Sequence, residues 1–471
     1  MGQPLVIESI ELPQPKWPIV TLRVGVAIGD LGRRLYGARR EGGQFDQAAV
    51  ARGLRETFDG LGGTFAKFSQ LIASSPGIFG DDVAAEFRGS LDAAPPVPID
   101  AVRRVVEAEL GRPIYEAFKS FEPEPVAAAS LAVVHHAVLP DGTPVAVKVL
   151  RPGIEARIAT DLAILGPLCR FVAREVAVGI AGTLNGLVAG LAAQLAEELD
   201  LRNEVRASRW FAGVLESVGA TEVRVPATYE EWSSRRVLTM ELIDGVAIDD
   251  EAAITAMGVD AAPLLLDCLR TWFAATLATG AFHGDIHAGN LLVTPDQKLV
   301  LVDWGIVGRL DESTALFFRR IIEGALGDDD AWPDVAAHLI SAYGAGVLDA
   351  LGTDEAGFAD VVRSQIQPVL RMPFGQVDLR TMLIGDGTMD GKRAGERTKV
   401  EAVRNWWAER ARQKRLMDLE GYGGGFDQAT FLLSKQLVYF DKYGKRYLPD
   451  TPLLDDPEVY RALLADGAPA P

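Results

Sequence analysis

The chain runs to 471 residues and carries 47 basic against 65 acidic side chains, a formal net charge of −18. Hydrophobic residues at 48% and charged residues at 24% describe an ordinary globular protein with room for two or three lobes, which excludes a disordered chain and a disulfide-stapled miniprotein. Such acidity repels phosphate backbones, so no nucleic acid is expected as a partner. Cys169 and Cys268, 99 residues apart, encode neither a disulfide framework nor a cysteine-rich zinc site. The opening MGQPLV reads as no targeting signal, with Val6 where myristoylation wants Ser or Thr. A cytoplasmic protein is expected, with peripheral membrane contact left open.

In chain order, residues 1–60 read as an irregular start followed by helices, and Gly60, Gly62 and Gly63 break the chain before a helix capped at Thr64. Phe65, Phe68, Leu71 and Ile72 form its apolar face, so Lys67 and Gln70 share the opposite one. After AAPPVP another helix is expected over 99–119. From Pro125 the period changes: LAVVHHAVL, the turn PDGT and PVAVKVL make two strands of a hairpin. Val145, Val147 and Val149 face one way and Lys148 the other, into a cleft.

Helical sequence resumes over 154–215. Val176 to Ala196 holds 21 residues without a charge, about a membrane span in length. Four glycines and three polar residues dilute it, which favours a buried helix hairpin. Strands return at EVRVP and RRVLTMEL, and Met240-Glu241-Leu242-Ile243-Asp244-Gly245 reads as a hinge. Beyond it come an apolar helix over 263–279, the loop AFHGDIHAGN, a hairpin LLVTPDQKLVLV, DWG at 303–305, and mostly helix to the end.

Asp285, Asn290 and Asp303 are spaced five and then thirteen residues apart. The first interval is that of a kinase catalytic loop. Phosphoryl transfer needs a carboxylate to accept or orient the acceptor hydroxyl, which suits Asp285, and hard oxygen ligands for magnesium, which suits Asn290 and Asp303. Lys148 suits the α- and β-phosphates and requires a carboxylate to hold it, for which Glu204 is the candidate. His283 and His287 also permit a metallohydrolase reading, but a carboxylate with an amide suits magnesium better than zinc.

The segments TFAKFSQ, EPVAAASLAVVHHAVLPDGTPVAVKVLRPGI, EELDLRNE, HGDIHAGNLL and LVDWG together resemble the UbiB-like (AarF/ADCK-type) atypical kinase family, in its order, over roughly 60–310. The resemblance implies an α+β, two-lobed protein-kinase-like fold: an N-terminal helical extension (1–120), a small β-rich lobe with inserted helices (121–245) and a large helical lobe (246–471). It implies ATP and Mg2+ as cofactors and work in or beside isoprenoid-quinone or other lipid metabolism. Ala127, Ala128, Ala129 and Ser130 fall on the family's alanine-rich loop, which with Lys148, Met240, Glu241 and Ile243 would contact nucleotide. Asp285, Lys148 and Glu204 would be catalytic, and Asn290 and Asp303 would hold metal. Lys67 and Gln70 fall on its K-x-G-Q helix and Glu198 and Asp200 on its E-x-D element, a gating set that restricts peptide access, with Lys67 meeting Glu198 or Asp200.

The sequence departs from the family at Ser69 in place of glycine, Ala132-Val133 in place of Gly-Gln, and Asp303-Trp304-Gly305 in place of DFG. No APE follows, and DESTALFFRRII leaves no room for a conventional activation segment. Two alternatives remain: a small-molecule phosphotransferase of the aminoglycoside or choline kinase type, and a nucleotide-binding pseudokinase scaffold. Residues 391–417 carry nine Lys or Arg against three Glu around Trp406 and Trp407, read as a solvated helix face ahead of a membrane-surface helix.

Overall fold

The computed structural model describes residues 5–42, 47–73, 81–87, 96–176, 181–343, 346–377 and 428–466. The basic stretch 391–417 lies outside them.

Four N-terminal helices, α1 (Trp17–Gly42), α2 (Gln47–Leu61), α3 (Gly63–Ala73) and α4 (Asp81–Phe87), close around an aromatic knot in which Phe58 meets Phe65, Phe68 and Phe87. Thr64 does not cap α3. Its hydroxyl donates to the buried Asp161 carboxylate at 2.9 Å, because Asp161 also gathers Arg23 and Arg157 and outcompetes a main-chain partner.

The expected helix over 99–119 is two, α5 (Ile99–Leu110) and α6 (Ile114–Ala117). Gly111, at φ 67°, ends the first in a left-handed cap, and Pro113 delays the restart. Then come β1 (Ser120–Ala128), β2 (Ala132–Val138) and β3 (Pro144–Leu150). The first strand was not legible as one: SFEPEPVAA is polar, proline-bearing and almost wholly exposed, as an edge strand tolerates.

Three helices follow, α7 (Ile154–Val176), α8 (Ala181–Glu198) and α9 (Arg202–Val218). Of the uncharged stretch 176–196, Val176 ends α7 and 181–196 lie in α8, while 177–180 lie outside the described residues. Leu187, Leu191 and Leu195 are buried in the core shared with α1, α3 and α7. No single helix among the described residues is long and apolar enough to cross a membrane.

After β4 (Val223–Arg224), β5 (Val237–Glu241) completes an antiparallel sheet of order β1-β2-β3-β5. The register sets Lys148 opposite Val134 on one side and Leu238 on the other. Val145, Val147 and Val149 pack with Val102 and Val106 of α5, so strand alternation drives Lys148 to the other face.

The helical lobe begins at β6 (Val246–Ala247), α10 (Glu251–Met257), α11 (Ala261–Thr279) and β7 (Ala281–His283), and its hairpin is β8 (Leu291–Val293) and β9 (Leu299–Leu301). A further strand, β10 (Val307–Arg309), pairs with β7. The Asp311 carboxylate then accepts from Thr314 N and caps α12 (Glu312–Ala325). Finally come α13 (Ala331–Tyr343), α14 (Gly346–Leu351), α15 (Glu355–Arg371), α16 (Gln428–Tyr447) and α17 (Pro457–Asp466). Trp272 and Phe273 of α11, Phe440 and Tyr443 of α16 and Tyr460 of α17 fill the main core.

Candidate active site

Strand β3 presents Lys148 to the first turn of α9, where Glu204 projects back. The ammonium donates to Glu204 Oε1 at 2.6 Å and to Asp303 Oδ1 at 2.9 Å. Glu204 is 6% exposed and Asp303 48%. Burial therefore pushes the Glu204 carboxyl up to about 7 despite the ammonium. The Lys148 charge outweighs burial at Asp303 and holds it at about 2, and the two carboxylates hold Lys148 above the usual lysine range against burial. Asp303 sits at φ 58°, a left-handed conformation that aspartate tolerates when its side chain bonds nearby backbone. Here Gly305 N donates to Oδ1 at 3.3 Å.

Trp304 carries the place of the DFG phenylalanine into the core. It is 3% exposed, its ring lies 4.7 Å from Phe211 of α9 and 4.4 Å from His283, and its indole N–H reaches Leu301 O. The wider ring so ties the Asp303 turn to the helix that carries Glu204. A Cβ at Gly305 would stand 3.2 Å from Asp303 Oδ1, 3.3 Å from Glu204 Oε1 and 3.8 Å from Glu198 Cγ, so all three acidic side chains border that glycine. Glu198 Oε2 accepts from Lys67 Nζ of α3 at 2.6 Å and Oε1 from Gln194 at 2.8 Å. Lys67 meets Glu198, not Asp200, whose buried carboxylate turns to Arg202 and receives its main-chain N–H. Gln70 is exposed to solvent.

The 283–290 loop is braced from within. His283 is fully buried; its Nδ1 accepts from Asp285 N and its Nε2 faces Val302 O at 3.3 Å. Both ring nitrogens are thus engaged, burial lowers the imidazole's pKa, and the metallohydrolase reading has no free ligand in His283. Asn290 Nδ2 donates to Asp285 O at 2.9 Å, which leaves the amide oxygen as its hard donor. With the exposed Asp303 carboxylate this fits a magnesium ion, which takes a few protein oxygens and completes its shell with phosphates and water. Among the described residues no three carboxylate, imidazole or thiolate groups converge on a common metal position.

The nucleotide-side expectations divide. Ala127 and Ala128 are not loop but the last residues of β1, paired with Val134 and Val133. The turn itself is Ala129 to Leu131, pinned by Arg151 Nε on Ala129 O at 2.8 Å. Ser130 is buried, and the N-terminus of α3 lies over it, a Cβ at Gly63 falling 3.7 Å from Ser130 Cβ. Met240 pairs with Ala146 within the sheet. The Glu241 carboxylate is taken by Arg224 and Ala227 N, and Ile243 is half-buried just beyond β5.

The ABC1 atypical kinase-like domain matches residues 90–332, half of the chain, and spans Lys148, Glu204, Asp285, Asn290 and Asp303. The uncharacterized protein Rv0647c of Mycobacterium tuberculosis is 33% identical over 467 residues, 97% of this chain and 84% of its own. The chain belongs to the ABC1 atypical kinase-like family. An uncharacterized aarF domain-containing protein kinase of Arabidopsis thaliana, named as chloroplastic, is 32% identical over 86% of this chain and 73% of its own. A protein of Marinobacter nauticus named "Probable protein kinase UbiB" is 33% identical over 59% of this chain and 53% of its own. Membership carries the kinase-like, mixed α and β architecture with it.

Three further residues, two of them outside the motifs, complete this ABC1-type site. Lys435 of α16 donates to Asp285 Oδ1 at 2.8 Å. Gln436, fully buried, accepts from Ile286 N at 2.8 Å and donates to Gly284 O at 2.7 Å. Glu197, beside Glu198, pairs with Arg309 of β10. Sequence reading had no local signal for the first two, since α16 lies some 150 residues beyond the loop. The doubled Glu197-Glu198 at a helix end was the available hint for the third.

Proposed function

We propose that the chain is an ATP- and Mg2+-dependent atypical kinase or ATPase. The observation that carries this reading is the Lys148 ammonium held between Glu204 and Asp303 on the wall facing the Asp285 loop. In it, Lys148 neutralises the α- and β-phosphates, Asn290 and Asp303 hold the metal, and Asp285 orients the acceptor hydroxyl and takes its proton. Mg2+, when bound, supplies charge neutralisation at the β- and γ-phosphates. The alanine turn, with Met240 and Ile243 at the edge of β5, accommodates the rest of the nucleotide.

Helix α3 is fastened by Lys67 to Glu198, and the family resemblance, in which this helix restricts peptide access, favours a small or lipid acceptor over a protein one. The family resemblance supports an activity in, or in support of, isoprenoid-quinone or other lipid metabolism, and the composition supports a cytoplasmic protein. Thermal shift tests the core of this reading: Mg–ATP should raise the melting temperature more than ATP with EDTA does, and Asp303→Ala should abolish the difference. Equal shifts, or an unchanged shift in the variant, would overturn it.

A further inference from the structure

The segment from Ala281 to Gln297 contains no lysine or arginine, and Lys298, the first cation after it, pairs with Glu222. Phosphoryl transfer collects negative charge where the acceptor, the γ-phosphate and the orienting carboxylate meet, and such sites answer it with fixed cations. Lys148 is committed to Glu204 and Asp303. The ammonium beside Asp285 comes instead from α16, a helix outside the matched 90–332 segment.

Its placement is built. Leu432, Leu433, Phe440 and Tyr443 seat α16 in the main core, and Gln436 and the Tyr443 hydroxyl bond the backbone of Gly284 and Ile286. Helix and loop are therefore bonded directly to one another, and the residue before Gln436 is Lys435. Lys435 and Asp285 side chains are 24% and 21% exposed. Burial works against the ammonium, but Asp285, with the Tyr439 phenol and the Glu198 charge, outweighs it and keeps Lys435 above the usual lysine range; the Tyr439 ring lies 5.7 Å from Nζ. Lys435 occupies Oδ1 only. Oδ2 lies 3.9 Å from His287 Nε2, beyond hydrogen-bond reach, and remains for the acceptor.

We propose that Lys435 is a positioning residue for the transfer step, fixing Oδ1 of Asp285 so that Oδ2 meets the acceptor hydroxyl and balancing the charge gathered there. In that step the hydroxyl proton passes to Oδ2 and the acceptor oxygen bonds the γ-phosphorus. The bond from that phosphorus to the β-phosphate oxygen breaks, and ADP leaves with its electron pair. Water replaces the hydroxyl when ATP is hydrolysed.

The inference rests on the kinase or ATPase reading, and full-length protein separates the two. Wild-type turnover of Mg–ATP to ADP tests that reading; Lys435 variants of an active wild type test the inference. Lys435→Met should keep the Mg–ATP thermal shift and hold KM for ATP within about twofold while kcat falls about 10- to 100-fold. Lys435→Arg should recover most of kcat, a rescue that lost packing would not show. In the Asp285→Asn background Lys435→Met should cost less than about threefold more, because the two act as a unit. Lys435→Gln stands in if the methionine variant does not fold. An unchanged kcat in Lys435→Met or Lys435→Gln, or losses that multiply with Asp285→Asn, would overturn the proposal. A wild type that neither binds nor turns over Mg–ATP would overturn the function reading itself.

Discussion

Replacing Glu204 with glutamine should stabilise the fold at alkaline pH while impairing the site. Glu204 and Asp303 share one ammonium, and Glu204 is the buried partner, 6% exposed against 48%. Burial, with the Asp303 charge adding to it, lifts its pKa from 4.5 to about 7. A carboxyl whose pKa rises on folding contributes stability that is complete below about 4.5 and is lost as pH climbs through about 7. That shift corresponds to about 3 kcal/mol. Glutamine is a neutral isostere at every pH and lacks this slope. Equilibrium urea unfolding should therefore find wild type and Glu204→Gln alike near pH 5, with the variant ahead by up to about 3 kcal/mol at pH 8. The Mg–ATP thermal shift should shrink in the variant at pH 8, where an amide holds the Lys148 ammonium less firmly than a carboxylate, and match wild type near pH 5, where the Glu204 carboxyl is itself neutral. A variant less stable than wild type at pH 8, by a margin that grows with pH, would refute the reasoning and make the pair a net stabiliser of the fold.

Lys67 and Glu198 are 17% and 11% exposed, so removing either should leave a nearly buried charge alone and cost about 3 kcal/mol, with the double variant costing little more, as read by urea unfolding. Lys67→Ala should also raise phosphorylation of generic peptides, while exposed Gln70→Ala should leave it unchanged; equal effects of the two would remove the distinction. At Gly308 an added Cβ would fall 2.1 Å from the Phe282 ring, so Gly308→Ala should destabilise by about 2 kcal/mol or more. A melting temperature within a degree of wild type would contradict that packing.

What could be read from sequence was whatever a short window holds. The β2–β3 hairpin announces itself by alternation and PDGT, and alternation alone turns Lys148 away from the valine face. Asp285 and Asn290 share one loop, and Asp303 follows a short hairpin. What could not be read was pairing across long separations or against local propensity. Strand β1 looks like loop because its edge position spares it from burying side chains. Thr64 looks like a helix cap until Asp161, 97 residues later, takes its hydroxyl. Lys435 is one lysine on an amphipathic helix, and its partner is visible only once Gln436 is seen bonded to the loop.

ATP turnover compared between wild type and Asp303→Asn, in Mg2+ and in EDTA, bears most directly on the claim that this cleft performs metal-dependent phosphoryl transfer. Wild type in Mg2+ should release ADP steadily, and EDTA or Asp303→Asn should each lower the rate by at least about 100-fold, since the amide keeps the shape of the side chain and loses its charge. A rate indifferent to EDTA, or a variant as active as wild type, would contradict the account.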